Sequence, residues 1–299
     1  MASSGRVRRS ELTCPGGSLR MAARAAASAA DQVILDLEDS VAPSAKESAR
    51  AAVIEAIRSL DWGDKILAFR PNGFSTEWAY RDIIEVVEGA GDRLDVMVIP
   101  KANGPEEIHY ADLLLTQIEA RLRRRGRIRL EALIESAPAV LRAHEIARAS
   151  DRMESLCFGI GDYAGDVGAR DIMDEQFGWF LFPKHQVLVA ARAAGIDAID
   201  NITLDVRNPE AARADAQRSA RLGFDGKWAI HPAQVGPIND AFTPTAAEVA
   251  AAQRYVDAYA RAGAEAGRGA ITDGADMVDA ATVRIEARKL AVARKAGLL

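Results

Sequence analysis

Glu135 and Asp162 each close a short apolar run, in LEALIES and SLCFGIGD. If those runs are consecutive strands of a repeated strand–helix chain, the strand ends gather on one face and the two carboxylates converge there. Two carboxylates at one mouth suit a divalent cation held by oxygen. Mg²⁺ often takes only one or two carboxylates and completes its shell with water and substrate. Taken singly, either acid could instead cap a following helix or pair with a nearby arginine.

Further polar residues stand at comparable positions. Arg70 ends KILAFR, just before Pro71-Asn72-Gly73. A guanidinium there can fork onto a carboxylate or stabilise an enolate oxygen, or it can pair with Glu38 or Asp39. LDLEDSVAPSAKESAR puts Asp36, Glu38 and Asp39 at one strand end. Strand alternation sends Asp36 and Glu38 to the same side, which is costly without a cation, an arginine or water. Asp39 also reads as a loop-capping residue ahead of Ser40–Ser44. Lys101 ends VIPK, and His231 follows the run before AIHPAQV closes. A histidine before proline is as much a turn residue as a base.

Other chemistries find little support. FGIGDYAG spaces its glycines as G-x-G-x-x-x-G, a near miss to the dinucleotide fingerprint, and the acid expected after a second strand is not evident. His109, His144 and His185 are scattered in helical stretches with no matching cysteines, which argues against zinc. There is no G-x-S-x-G elbow and no phosphate-loop lysine motif. The basic run RLRRRGRIR, Arg121 to Arg129, falls at a helix end before a strand, on the face opposite the strand ends, and reads as solvated surface or a subunit contact.

The elements that must position these residues repeat along the chain. Candidate strands are Leu12–Cys14, Gln32–Leu37, Lys65–Phe69, Val96–Ile99, Leu130–Ile134, Ser155–Gly159, Ala198–Leu204 and Lys227–Ile230. Eight strands close a (β/α)₈ barrel. Helical patterns fill the gaps: 18–30, 44–60, 76–89, 105–124, 138–149, 184–194 and 209–222. Ser44, Ser75 and Asn208 are candidate caps, with Pro105, Pro138 and Pro209 in first turns. An open doubly wound sheet is the rival, but polar residues follow nearly every strand, and only a barrel brings all those ends to one mouth. A further helix, 245–262, leads into the Gly/Ala-rich AGAEAGRGA, expected to be a flexible joint. The chain therefore divides into a TIM-barrel domain, 1–262, and a C-terminal helical lid or arm, 263–299.

With 299 residues, 49% of them hydrophobic, the chain has ample material for a large core. A net charge of −5 offers nucleic acid or an anionic membrane no global attraction. No run is long and uncharged enough to cross a bilayer, and the basic N-terminus lacks the apolar core of a secretory signal. Two cysteines give no disulfide framework, so a reducing cytoplasm is expected.

In combination, the motifs resemble the citrate lyase β-subunit-like group of the HpcH/HpaI aldolase superfamily. The resemblance runs through the N-terminal PGG, LDLEDSVAPSAKESAR, FRPNG, VIPK, LIESAP, GIGDYAG, GKWAIHPAQV and the late MVDAA. It implies a barrel with a C-terminal lid, assembled as homotrimers or homohexamers that share lid residues between subunits. It implies Mg²⁺, with Mn²⁺ as a substitute, held by Glu135 and Asp162, and Arg70 on a CoA-thioester oxygen. Asp279, in MVDAA, matches the acid that the lid supplies to a neighbouring site. Glu38, Asp39 and Lys101 border the substrate. The first loop reads PGGSLRM, which leaves Arg20 and Arg24 as the phosphate partners of CoA. The stretch DVGARDIMDEQFGWFLFPKH is shorter than in malyl-CoA-cleaving members and borders the acyl site. The implied reaction is reversible cleavage of (S)-malyl-CoA to acetyl-CoA and the 2-oxo acid glyoxylate, with β-methylmalyl-CoA as a second substrate. The rivals are citramalyl-CoA or citryl-thioester cleavage, malyl-CoA hydrolysis, and a non-catalytic metal-binding paralogue.

Overall fold

The computed structural model describes residues 6–172, 178–266, 269–273 and 276–299. Eight parallel strands close into a barrel in chain order: β1 (Ser10–Pro15), β2 (Gln32–Asp36), β3 (Ile66–Arg70), β4 (Val96–Ile99), β5 (Arg129–Ile134), β6 (Met153–Phe158), β7 (Asp197–Asp200) and β8 (Gly226–Ala229). Every expected strand is present within a few residues. The widest departure is β7, which stops at Asp200 rather than reaching Leu204. Lys227 explains the stop: its ammonium donates to the Asn201 carbonyl at 2.5 Å, drawing the chain out of the ladder.

The surrounding helices are α1 (Leu19–Ala26), α2 (Lys46–Ser59), α3 (Ala79–Ala90), α4 (Pro105–Leu122), α5 (Ala137–Leu141), α6 (Ala143–Arg148), α7 (Ile160–Asp166), α8 (Leu181–Ala194), α9 (Pro209–Leu222), α10 (Pro232–Phe242), α11 (Ala246–Ala266) and α12 (Ala280–Lys295). Asn208 caps α9 as expected, its side chain accepting from the Ala211 N–H. Ser44 and Ser75 cap nothing. Ser44 lies within a short 3₁₀ turn ahead of α2, and α3 begins only at Ala79. The expected helix 138–149 is broken at Arg142, whose backbone is not helical. Helices α7 and α10 were not foreseen. The Gly/Ala-rich stretch expected to be a joint is helical as far as Ala266.

Two layers of core result. Val33, Leu35, Leu67, Phe69, Met97 and Ile99 point outward and pack against the helices, while Ile34, Ala68, Val98, Leu133, Cys157 and Trp228 fill the barrel. Strand alternation then dictates what stands two residues further along the inward rows. Ile34 leads to Asp36, Ala68 to Arg70, Leu133 to Glu135 and Cys157 to Gly159. The inward period of β2, β3, β5 and β6 thus ends in polar groups and a glycine at the mouth.

The C-terminal arm begins with an antiparallel hairpin, β9 (Ala270–Asp273) and β10 (Asp276–Asp279), and continues as α12. Leu290 and Ala293 of α12 pack on Val249 and Ala252 of α11. Arg288 donates to Asp225 at 2.8 Å, and Asp225 leads directly into β8. In a parallel barrel that is the end opposite the mouth, so within one chain the arm docks away from Glu135. Among the described residues no helix is long and apolar enough to cross a membrane.

Candidate active site

Asp36 and Arg70 are register partners on β2 and β3. They form a bidentate pair, with Arg70 Nε donating to Asp36 Oδ1 at 2.6 Å and Nη2 to Oδ2 at 2.8 Å. Asp36 also accepts the backbone N–H groups of Glu38 and Ser40, which shapes the loop after β2. Burial works to raise its pKa, but Arg70 and these hydrogen bonds outweigh it and hold the carboxyl below the usual range. The remaining arm of Arg70, Nη1, lies 3.0 Å from Glu38 Oε2. That contact lacks the alignment of a hydrogen bond, and Oε2 is buried with no donor. The guanidinium also lies over the Trp228 ring, 5.6 Å from its centre. Of the two arginine partners weighed from sequence, Glu38 is present, while Asp36 rather than Asp39 supplies the fork.

Glu135 directly follows β5 and is buried. Gly159 explains how it fits: a Cβ there would lie 2.6 Å from Glu135 Oε2 and 2.7 Å from its Cβ. Glu135 Oε1 accepts the Lys101 N–H at 2.6 Å. Burial pushes the Glu135 carboxyl up to about 8, and the charges of Glu38 and Asp162 push the same way against Arg70. Asp162 stands in the first turn of α7, a helix that the glycine spacing of FGIGDYAG does not announce. Its side chain is half-exposed and faces Lys101, Nζ to Oδ1 3.8 Å.

Lys101 ties the cluster together. Its ammonium also donates to Glu38 Oε1 at 2.6 Å and approaches Asp39 Oδ1 at 3.4 Å. Lys46, which the sequence reading passed over inside its motif, is buried beneath the same loop. It donates to the carbonyls of Leu37 and Glu38 at 2.8 and 2.6 Å. Only its spacing within LDLEDSVAPSAKESAR could have marked it, as a cation one helical start after three acids.

Six expected site residues therefore converge: Glu38, Asp39, Arg70, Lys101, Glu135 and Asp162. Arg20 and Arg24 stand exposed on α1, outside this network; α1 opens just after the β1 turn at the mouth. Asp279 caps α12, accepting from the backbone of Ala281 and Thr282 and from the Thr282 hydroxyl, all on Oδ1. These bonds hold its carboxyl below the usual range. The structure does not bring it to the mouth of its own barrel. His231 proves to be a turn residue, its Nδ1 accepting the Ala233 N–H at the start of α10. The segment expected to border the acyl group includes residues 173–177, which lie outside the described residues.

The mouth carries five carboxyl groups, Asp36, Glu38, Asp39, Glu135 and Asp162, against three cations, Lys46, Arg70 and Lys101. With all five ionised, a divalent cation would offset that excess in full. The donors are all oxygen, the set a hard cation prefers. Among the described residues no group of three or more His, Cys, Asp or Glu forms a ready-made metal cage. The fit is to an ion that takes two carboxylates and leaves positions open.

A family model for HpcH/HpaI aldolase/citrate lyase matches residues 9–232. L-malyl-CoA/beta-methylmalyl-CoA lyase of Rhodobacter capsulatus is 40% identical over 294 residues, covering 93% of this chain and 92% of that protein. Citrate lyase subunit beta of Leuconostoc mesenteroides subsp. cremoris is 36% identical over 275 residues, covering 92% and 89%. Among solved structures, protein CitE of Mycobacterium tuberculosis, in complex with magnesium, acetoacetate and coenzyme A, aligns with a TM-score of 0.77 at 29% identity, covering 98% and 99%. With its closed parallel barrel and converging acid cluster, the chain belongs to the HpcH/HpaI aldolase/citrate lyase family and is a carbon–carbon lyase.

Proposed function

We propose that this chain is a Mg²⁺-dependent acyl-CoA lyase that reversibly cleaves (S)-malyl-CoA to acetyl-CoA and glyoxylate, and β-methylmalyl-CoA to propionyl-CoA and glyoxylate. The observation that carries the reading is Glu135, a buried carboxylate held beside Asp162 and within the field of Arg70. Glu135 and Asp162 would hold the ion, with Mn²⁺ as a substitute. Bound there, the ion would polarise the oxygens of the 2-oxo or 2-hydroxy acid.

The chain's own groups account for the rest. Asp36 fixes the Arg70 guanidinium, so it meets a developing thioester enolate without reorganising; donors preset in this way are typically worth roughly 3–4 kcal/mol. As the carbon–carbon bond breaks, the hydroxyl oxygen becomes the glyoxylate carbonyl and gives up its proton to a mouth carboxylate, and the bond's electron pair passes into that enolate. A proton must then reach the α-carbon, and Asp279 is the acid proposed to deliver it, acting as base in the reverse direction. The arm's docking at the far end of its own barrel supports delivery to a neighbouring subunit, in a homotrimer or homohexamer. There the arm, 263–299, would close over the mouth of barrel 1–262 and exclude water. Arg20 and Arg24, at the rim, would meet the CoA phosphates.

The similarity to citrate lyase subunit beta keeps a citryl thioester as the second reading. A panel of malyl-, β-methylmalyl-, citramalyl- and citryl-CoA with Mg²⁺ tests both. Acetyl-CoA and glyoxylate released in equal amounts from malyl-CoA support the proposal. Release of free CoA would show hydrolysis instead, and turnover of citryl-CoA alone would favour the second reading.

A further inference from the structure

Lys101 combines two unusual features. Its backbone lies in the left-handed region, φ 51°, and among the described non-glycine residues only Arg123 shares this. Arg123 ends α4, where such a conformation is common. Lys101 follows a barrel strand and carries strain of the kind found at functional sites. The conformation turns its N–H onto Glu135 Oε1 and leads its side chain back across the mouth to Glu38, Asp39 and Asp162. Glycine would adopt the same turn without strain and still present the N–H. The side chain therefore does something that the backbone contact does not need.

The ammonium sits among carboxylates that a divalent ion would also use. Its firm anchor is Glu38 at 2.6 Å, and its contact with Asp162 is looser at 3.8 Å. Asp162 has no other ion pair among the described residues. We infer that Lys101 is a built-in competitor for the divalent ion: its ammonium screens the acid cluster while the ion is absent and yields Asp162 when the ion binds. Glu38 and Asp39 keep the displaced charge at the rim, so the lysine stem swings without any backbone change. The consequence is weak metal binding by the protein alone. The ion would then be held firmly only when the acid substrate supplies the remaining oxygens.

This inference rests on the assignment of Glu135 and Asp162 as metal holders, and the test separates the two. Mn²⁺ affinity is measured at low salt without acyl-CoA, by the free-ion paramagnetic resonance signal, for the full-length protein and for Lys101→Met, Lys101→Gly and Lys101→Arg. Thermal denaturation checks that each is folded. Met and Gly remove the charge, and Gly also relieves the turn; both should bind Mn²⁺ more tightly by on the order of tenfold, given one neighbouring charge partly screened by solvent. Arg keeps the charge and should remain near the parent, and added salt should shrink the gap. Equal or weaker binding by both Met and Gly variants, with the parent still binding, would overturn the inference alone. No Mn²⁺ binding by any of the four would remove the metal assignment and the inference together.

Discussion

Gly159→Ala tests the packing that places Glu135. Gly159 has φ −100° and ψ 92°, values an alanine adopts freely, so the substitution adds no backbone strain. Its cost is steric. The new Cβ would fall 2.6 Å from Glu135 Oε2, about 0.8 Å short of the 3.4 Å at which ordinary contact begins, and 2.7 Å from Glu135 Cβ. A carboxylate tip could rotate away, but a Cβ moves only with its backbone. The ends of β5 and β6 must therefore separate, or Glu135 must tilt off its bond to the Lys101 N–H. Overpacking of this kind costs roughly 1–3 kcal/mol of stability. Displacement of a site group by about 1 Å can cost on the order of a hundredfold in rate. The expected result is a modest drop in unfolding free energy, measured in urea, alongside a disproportionate loss of kcat for Mg²⁺-dependent thioester cleavage. Parental kcat with parental stability would refute the idea that this glycine exists to admit Glu135.

Asp36→Asn takes from buried Arg70 its bidentate partner and leaves Glu38 as the nearest counter-charge; breaking such a pair costs up to about 3 kcal/mol, and urea unfolding should show it, with kcat falling further than KM rises. Acid should destabilise the protein through Asp36 and Asp215. For Asp215, burial opposes ionisation, but Lys227 and Lys184 outweigh it and bring the carboxyl down to about 2. Because both folded pKa values are depressed, their contributions are complete above the unfolded value of about 3.9 and vanish as pH falls through the folded one. Asp215→Asn should therefore flatten the stability profile between about pH 4 and 2, and an unchanged profile would contradict it. Mixing Arg70→Ala with Asp279→Ala subunits should restore part of the activity each lacks if the acid acts on a neighbour's site; assays of the mixed oligomer showing no rescue would count against shared sites.

Much of the barrel was legible because its signal is redundant. Each strand is a short β-rich run, and the inward alternation that ends in Asp36, Arg70 and Glu135 follows from period two alone. The misses have physical causes. Helix α7 carries Gly161 and Gly165, so its composition reads as loop, yet it sets the angle of Asp162. Helix α10 contains Pro237 and Gly236 and is held by tertiary contacts instead: Val235, Ile238 and Phe242 are buried, and Asn239 donates to the Ala29 carbonyl. Propensity could not have found either. The Asp36–Arg70 fork needed the β2–β3 register, which the sequence does not display. Nor does local pattern single out Asp279, an N-cap in its own chain whose proposed chemistry depends on a second subunit.

The central claim is that Glu135 and Asp162 hold the divalent ion that the cleavage requires. The most direct measurement is Mn²⁺ binding by Glu135→Ala and Asp162→Ala, paired with Mg²⁺-dependent release of acetyl-CoA from malyl-CoA. The account predicts that each substitution abolishes both while the protein remains folded. Parental metal affinity and turnover in either variant would contradict it.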